Sequence, residues 1–403
     1  MKARLTLLVA LAISTLTTPA MLYAQFDFSF DGKQVQIHSF ASQGLIVSDK
    51  NNFLTMDTSR GSLALTDGGV SASTQLTDSW RVGAQMYVRN VGQLGDWQPQ
   101  LDWAYADYRF ARWFGVRAGK VKTALGLYND VQDIDSMQTF ALLPQGLYPM
   151  DLRSNFIAHT GADVYGIIPA FRKSQVRYTV YAGARANDPN GGYYYMLETN
   201  NPPLAQVNSF GGNTTGADLR LETPLHGFTV GSSYLIQSIH VALDFLHKFP
   251  GRITDGSGSP EQIVSGYMDY AAGRWHLSGE YRRDKAIRDV TLMGKPYMMS
   301  NGAYMGAFGT VAFRVDKRLE VGTYHSWFYV DAPKDPGPAA NHIFDQAVTA
   351  RFDLAKFWYA KIEGHFMDGY GDLYSAHGFY VATNPDGLRP KTNMLVVRTG
   401  VSF

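Results

Sequence analysis

The chain has 403 residues, a formal net charge of +1, no cysteine, 45% hydrophobic and 13% aromatic residues, 40 glycines and a mean hydropathy of −0.18. Balanced charge offers no patch for nucleic acid, and without cysteine neither a disulfide framework nor a thiolate metal site is available. Past the N-terminus no run of 18 uncharged apolar residues occurs, which argues against a helical inner-membrane protein.

The chain opens with Lys2 and Arg4, an apolar run from Leu5 to Leu16 and small residues through Ala24, the three-part layout of a secretory signal peptide. Cleavage after Ala20 and after Ala24 both fit, so residues 1–24 are assigned to the signal peptide and residues 25–403 to one mature domain. The apolar run, about 12 residues long, is too short to cross a bilayer as a helix. Without Lys2 and Arg4 the mature chain carries 34 basic against 35 acidic residues.

From Gln34 onward the dominant period is two, in runs of about 10 to 14 residues separated by alternately short and long connections. Short turns centre on Thr77–Asp78, Ala111, Pro169–Lys173, Pro224–Gly227, Gly273, Asp316 and Ala355. Long connections fall at residues 47–58, 93–98, 123–156, 187–212, 248–259, 287–299, 331–342 and 370–391. Seven turns and eight loops join 16 strands. The expected fold is all-β: a transmembrane antiparallel barrel with short periplasmic turns, long external loops and both termini on the turn side.

Residues i and i+2 share a face. In the last strand Leu395, Val397, Thr399, Val401 and Phe403 form the expected lipid face, opposite Met394, Val396, Arg398, Gly400 and Ser402. The strands after Ser79 and Ser174 repeat the scheme, with charge on the other face. A small soluble barrel would fill its interior with apolar side chains, so charged inner faces point to a wide, wet lumen. Trp80, Trp113, Trp275 and Trp358 each follow a short turn, where an interfacial aromatic girdle belongs. Between Phe228 and Phe245 the apolar positions switch from even to odd, which predicts a bulge in that strand near Gln237 or Ser238.

The third long connection, Thr123 to Phe156, far exceeds hairpin length. It carries Asp130, Asp133, Asp135, Asp151 and Arg153 among apolar residues, with Pro144 and Pro149 as stops. It is expected to fold inward and narrow a pore. The wall is expected to contribute Arg81, Arg89, Arg177, Arg185, Arg220, Arg282, Arg351, Lys361 and Arg398, with Lys120 and Lys122 at the base of the loop, against Asp218, Glu222, Glu280, Glu320, Asp345 and Glu363. A basic wall facing an acidic loop would set up a transverse field that orients solutes and favours anions. The bland alternative is that these charges pair and pin the loop.

The final strand, NMLVVRTGVSF, resembles the terminal signal of outer-membrane barrels, which implies contact of Phe403 with the barrel-assembly machinery. The run GKVKTALGLYNDVQD, Gly119 to Asp133, resembles the entry to the third loop in the phosphate-selective porin O and P superfamily and its dicarboxylate-uptake relatives. That resemblance implies a 16-stranded passive channel for small hydrophilic solutes, trimeric, in the outer membrane. Phosphate-selective members line the constriction with arginines and lysines, whereas this loop carries four aspartates and one arginine.

No catalytic residue, metal site or cofactor is assigned. The ten histidines are scattered, with no H-E-x-x-H or G-x-S-x-G pattern, and Asp130, Asp133 and Asp135 are spaced unlike a calcium loop. An outer-wall hydrolase, lipase-like, stays open because triads are defined by geometry, as does a closed structural or adhesive barrel. Roughly ten residues between the signal peptide and the first strand leave no room for a plug, which argues against an energy-coupled transporter.

Overall fold

Exposed and buried side chains alternate along the long strands: in the last one Leu395 is 46% exposed between Met394 at 4% and Val396 at 0%. The computed structural model describes residues 26–30, 32–199, 205–245, 253–285, 290–292, 295–298, 304–330, 337–371 and 379–403; the signal-peptide assignment lies outside them. The first strands are β1 (Phe26–Phe30), β2 (Lys33–Ser48), β3 (Ser62–Gln75), β4 (Trp80–Val91), β5 (Gln100–Ala111), β6 (Phe114–Lys122), β7 (Ala158–Pro169) and β8 (Gln175–Arg185). A helix, α1 (Gly192–Thr199), precedes β9 (Ala205–Gly211), β10 (Asn213–Glu222), β11 (Phe228–Phe245), β12 (Ile253–Ala272) and β13 (Trp275–Lys285). Then come β14 (Val290–Leu292), β15 (Lys295–Met298), β16 (Tyr304–Arg314), β17 (Leu319–Tyr329), β18 (His342–Ala355), β19 (Trp358–Gly369) and β20 (Lys391–Ser402).

All pairings are antiparallel, and β2 closes on β20 from Phe40↔Ser402 to Ser48↔Met394, so the sheet is a closed barrel. Its staves number 16, with β9 and β10 forming one stave kinked at Gly212, whose φ is +147°. The short strand β1 pairs with the foot of β2, and β14 and β15 extend the sheet beside β12. Among the described residues turns and loops alternate at the expected places; residues 200–204, 248–252, 287–289, 293–294, 299, 331–336 and 372–378 of the expected loops lie outside them. The stretch expected as a loop at 248–259 differs: β12 begins at Ile253 and pairs with the extension of β11. Its Gly/Ser/Pro composition is accommodated because a register shift lets residues 259–260, including Pro260, fall outside the ladder.

That shift also corrects the expected bulge. Pairing moves from Gln237↔Glu261 to Ile239↔Gly258, so the extra residue belongs to β12 and not to β11. In β11 both Leu235 and Leu243 remain buried, and its alternation is unbroken. Ile239, Val241 and Leu243 are apolar because they pack with Tyr194, Val207 and Phe210, the connection containing α1.

Trp80, Trp113, Trp275 and Trp358 are 43%, 60%, 50% and 42% exposed beside the short turns. Trp80, Tyr108, Phe110 and Phe114 form a row of touching rings 4.8, 4.5 and 5.0 Å apart. At the loop end the inner face turns apolar: Ile46, Leu65, Val91, Ile343, Met367, Met394 and Val396 pack with Phe53, Leu54, Met56, Ala141, Leu142 and Phe379 of three connections.

Gly161 on β7 lies where backbones meet closely. A Cβ there would sit 2.1 Å from the Ala182 carbonyl oxygen and 2.5 Å from Gly183 Cα, whereas one on Gly309 would meet nothing within 4 Å. Gly161→Ala is expected to destabilise the barrel by about 1–3 kcal/mol and Gly309→Ala to leave it unchanged, read as the temperature at which the compact electrophoretic form is lost. Equal behaviour of the two variants would contradict this packing.

Candidate functional site

Residues 123–157 connect β6 to β7 with only two single-turn 3-10 segments, Asp135–Met137 and Arg153–Asn155. Their buried backbone groups therefore need partners from elsewhere. The two ends are tied by Asn129, whose Nδ2 donates to the carbonyls of Thr123 and Phe156, each at 2.8 Å. At the base His159, fully buried, sits between Thr123 Oγ1 at 3.1 Å and Asp163 at 2.9 Å and stacks on Tyr181.

Local turns such as Val131 N to Tyr128 O and Leu147 N to Pro144 O meet some of these groups, and side chains of distant strands meet others. Glu280 on β13 accepts from Leu127 N at 2.9 Å and from the Tyr148 hydroxyl, and Glu363 on β19 accepts from Ala141 N and Leu142 N at 2.8 and 2.9 Å. Cations meet the carbonyls: Arg89 reaches Met150 O, Arg282 reaches Leu147 O at 2.9 Å, and Arg351 reaches Ser136 O and Gln138 O at 2.6 and 2.7 Å. Lys361 Nζ, completely covered, donates to Asp135 O, Asp135 Oδ1 and Phe140 O within 2.9 Å. Arg398 spans Asp67 at 2.9 Å, Asp135 at 3.1 Å and Ala141 O at 3.1 Å. Cross-strand register explains the convergence, because Arg314, Glu320, Arg351, Lys361 and Arg398 face one another in a row across β16–β20.

The loop charges are distributed around these anchors. Asp133 meets Lys122 at 2.6 Å and Gln85 at 2.7 Å. Arg153 forms a bidentate pair with Asp102 at 3.0 and 2.9 Å and lies 4.1 Å over the Tyr87 ring. Asp151 accepts from the Tyr380 hydroxyl at 2.9 Å, and its carbonyl from Gly192 N. Asp130, 36% exposed, lies 3.5 Å from Arg220, which also holds Asp218 at 2.8 Å. The three neighbouring aspartates thus point to separate cations: Asp130 to Arg220, Asp133 to Lys122 and Arg153, and Asp135 to Lys361 and Arg398.

Three of the anchoring arginines also pair with carboxylates outside the segment, and the other basic residues lie outside this net. Arg89 also pairs with Asp188 at 3.0 Å, Arg282 with Asp284 at 3.0 Å and Arg351 with Asp353 at 2.9 Å. Arg185 is buried against the rings of Tyr193 and Phe210. Arg81 donates to Ser73 at 3.0 Å, Arg177 pairs with Glu222 while 55% exposed, and Lys120 donates to the Leu101 carbonyl.

Sequence reasoning missed Asp102, His159 and Tyr148. Asp102 stands in a register shift between β4 and β5, which period-two counting cannot place. Asp345, His365 and Glu363 form a further buried chain, with His365 2.9 Å from Asp345 and 3.0 Å from Glu363.

Burial alone would raise the carboxyls of Asp133 and Asp135, but the neighbouring cations outweigh it. Lys122 and Arg153 hold Asp133 below its usual value, and Arg398 and Lys361 do the same for Asp135. Burial, reinforced by Glu280, pushes the Tyr148 hydroxyl well above its ordinary value. The Thr123–His159–Asp163 arrangement has the composition of a proton relay, yet all three groups are at most 2% exposed, so it serves as a strut.

No protein-family model matches the sequence, and no curated protein matches it. The fold is shared with solved structures: OmpT of Vibrio cholerae, an outer-membrane protein (TM-score 0.56, 10% identity, 94% of this chain and 100% of that one), and an anion-selective porin from Comamonas acidovorans (0.56, 11%, 92% and 100%). The outer-membrane channel DcaP of Acinetobacter baumannii is similar in the same way (0.54, 12%, 93% and 99%). At these identities the likeness is one of architecture, and the architecture is that of the porin-type outer-membrane barrel.

Proposed function

We propose that this chain is an outer-membrane channel through which small hydrophilic solutes diffuse without energy coupling or catalysis, and that residues 123–157 fold into the barrel and narrow it. One observation carries the reading. The segment's backbone is held by side chains of β4 on one side and of β13 and β18–β20 on the others, and a path across the interior reaches them all. The likeness to an anion-selective porin and to an outer-membrane channel supports the same function. The run from Gly119 to Asp133 favours the phosphate-porin O/P and dicarboxylate-uptake branch.

A mild anion preference fits the lumen charges, because Asp133, Asp135 and Asp151 are buried whereas Arg81 and Arg177 remain exposed. A homotrimer agrees with the trimer form recorded for OmpT. Phe403 pairs with Ser39 through both backbone bonds and stacks on Phe357, which suits a terminal residue read during assembly. The apolar cluster over the loop end favours a second reading, a closed barrel, and conductance separates the two.

Removing most of residues 130–150 is expected to raise single-channel conductance severalfold in planar bilayers; silence of both proteins would favour the closed barrel. The double variant R81Q/R177Q is expected to move the reversal potential in a salt gradient toward cations, and an unmoved potential would place selectivity elsewhere. Acid should loosen the loop. The depressed carboxyls of Asp133 and Asp135 contribute stability fully present above their unfolded value of 3.8 and lost as pH falls below it through the folded values. Open-channel current is therefore expected to be steady from neutral pH down to about 4.5 and to become noisy below 3.8. D135N should show that noise already at neutral pH; a quiet D135N channel would free Asp135 of the anchoring role.

A further inference from the structure

Charge is unevenly distributed along the barrel axis. The seven short turns carry seven Lys/Arg against two Asp, while the eight long connections carry nine Lys/Arg against fourteen Asp/Glu. Arg112 stands in the second turn, Arg172 and Lys173 in the third, Arg274 in the fifth, Lys317 and Arg318 in the sixth and Lys356 in the last, and all are exposed. Of the two turn aspartates, Asp316 is occupied by its own turn, accepting from Arg318 N at 2.7 Å and Leu319 N at 2.9 Å.

The belt of tryptophans fixes the depth of this ring of cations. Trp113, Trp275 and Trp358 follow Arg112, Arg274 and Lys356 within two residues and stay largely exposed on the outer face. Exposed indoles beside the ends of barrel strands belong at the headgroup level of a bilayer, so the cations stand where lipid phosphates stand. The second and third turns are joined, since Arg112 Nη2 donates to Gln175 at 2.7 Å. In the third turn Phe171 is 76% exposed with the Arg172 guanidinium 5.0 Å over its ring, an apolar tip with a cationic collar.

We propose that the short-turn rim binds anionic phospholipid headgroups in the leaflet it faces. The proposal rests on the reading that the barrel spans the outer membrane. Attraction of clustered Lys/Arg to anionic lipid falls off within a Debye length, about 10 Å at 0.1 M salt, so only groups at headgroup depth take part and added salt weakens it.

The test uses the full barrel in mixed vesicles of phosphatidylglycerol and phosphatidylcholine, with the chains of one or the other brominated to quench tryptophan. Wild type is expected to be quenched at least twofold more by brominated phosphatidylglycerol in 50 mM salt. That preference should disappear in 500 mM salt and in R112Q/R172Q/K173Q, and 10 mM inorganic phosphate should leave it in place. Equal quenching by both lipids in wild type, or an undiminished preference in the variant, would overturn the proposal. Loss of the preference on adding phosphate would assign the rim to free phosphate instead. Quenching by neither lipid would overturn the membrane reading itself. Where the triple variant does not fold, R274Q/K317Q/R318Q takes its place with the same expectation.

Discussion

The constraint on which the structure depends is that residues 123–157 have no hydrogen-bond ladder of their own. Leaving a buried donor or acceptor unmet costs about 1–3 kcal/mol each, and a 35-residue irregular segment holds many. The wall meets them with charged side chains, Glu280, Glu363, Arg282, Arg351, Lys361 and Arg398. These are long enough to reach across from a strand and, being charged, form the stronger class of hydrogen bond. A wall of serines and leucines could close the barrel but could not hold this segment.

The ion pairs follow from that choice. Placing Lys361 and Arg398 under the segment buries two cations, which would be costly alone. Asp135 between them, and Asp67 beyond, restore balance. Such pairs add little net stability over an apolar core, and their value lies in fixing position: an Asp135 displaced by one residue would leave Lys361 without its carboxylate and Arg398 with Asp67 alone. The segment is thus registered to β19 and β20 by charge, to β13 by Glu280 and to β4–β6 by Asp133 and Arg153.

Much of the barrel was legible because period two and turn length are local. The 16 staves, the alternating faces and the tryptophans beside the turns could be read from sequence. What depended on neighbours could not. Residues 253–259 look like a loop by composition, yet form strand because β11 extends beside them. The partners of the inner basic residues could not be read, since Lys361 and Asp135 are 226 positions apart. Asp102 was hidden by a register shift and His159 by lying beyond the segment it supports.

The distribution of cover inside the barrel limits where water can run on the channel reading. Along β18–β20 and β2–β4 the loop end is filled by the apolar cluster and, beneath it, by Lys361, Arg398 and Asp67, all at most 8% exposed. Along β6–β10 the inner side chains keep more solvent: Arg117 is 27% exposed, Arg177 55%, Glu222 33% and Arg220 24%. Asp130, the loop carboxylate left 36% exposed, stands on that side against Arg220. On that side, between Asp130 and the β8–β10 wall, charged side chains keep their exposure. Arg177 and Arg220, cross-strand neighbours there, stay partly exposed, while the more deeply covered cations are neutralised, Lys361 by Asp135 of the segment and Arg89, Arg282 and Arg351 by Asp188, Asp284 and Asp353 outside it.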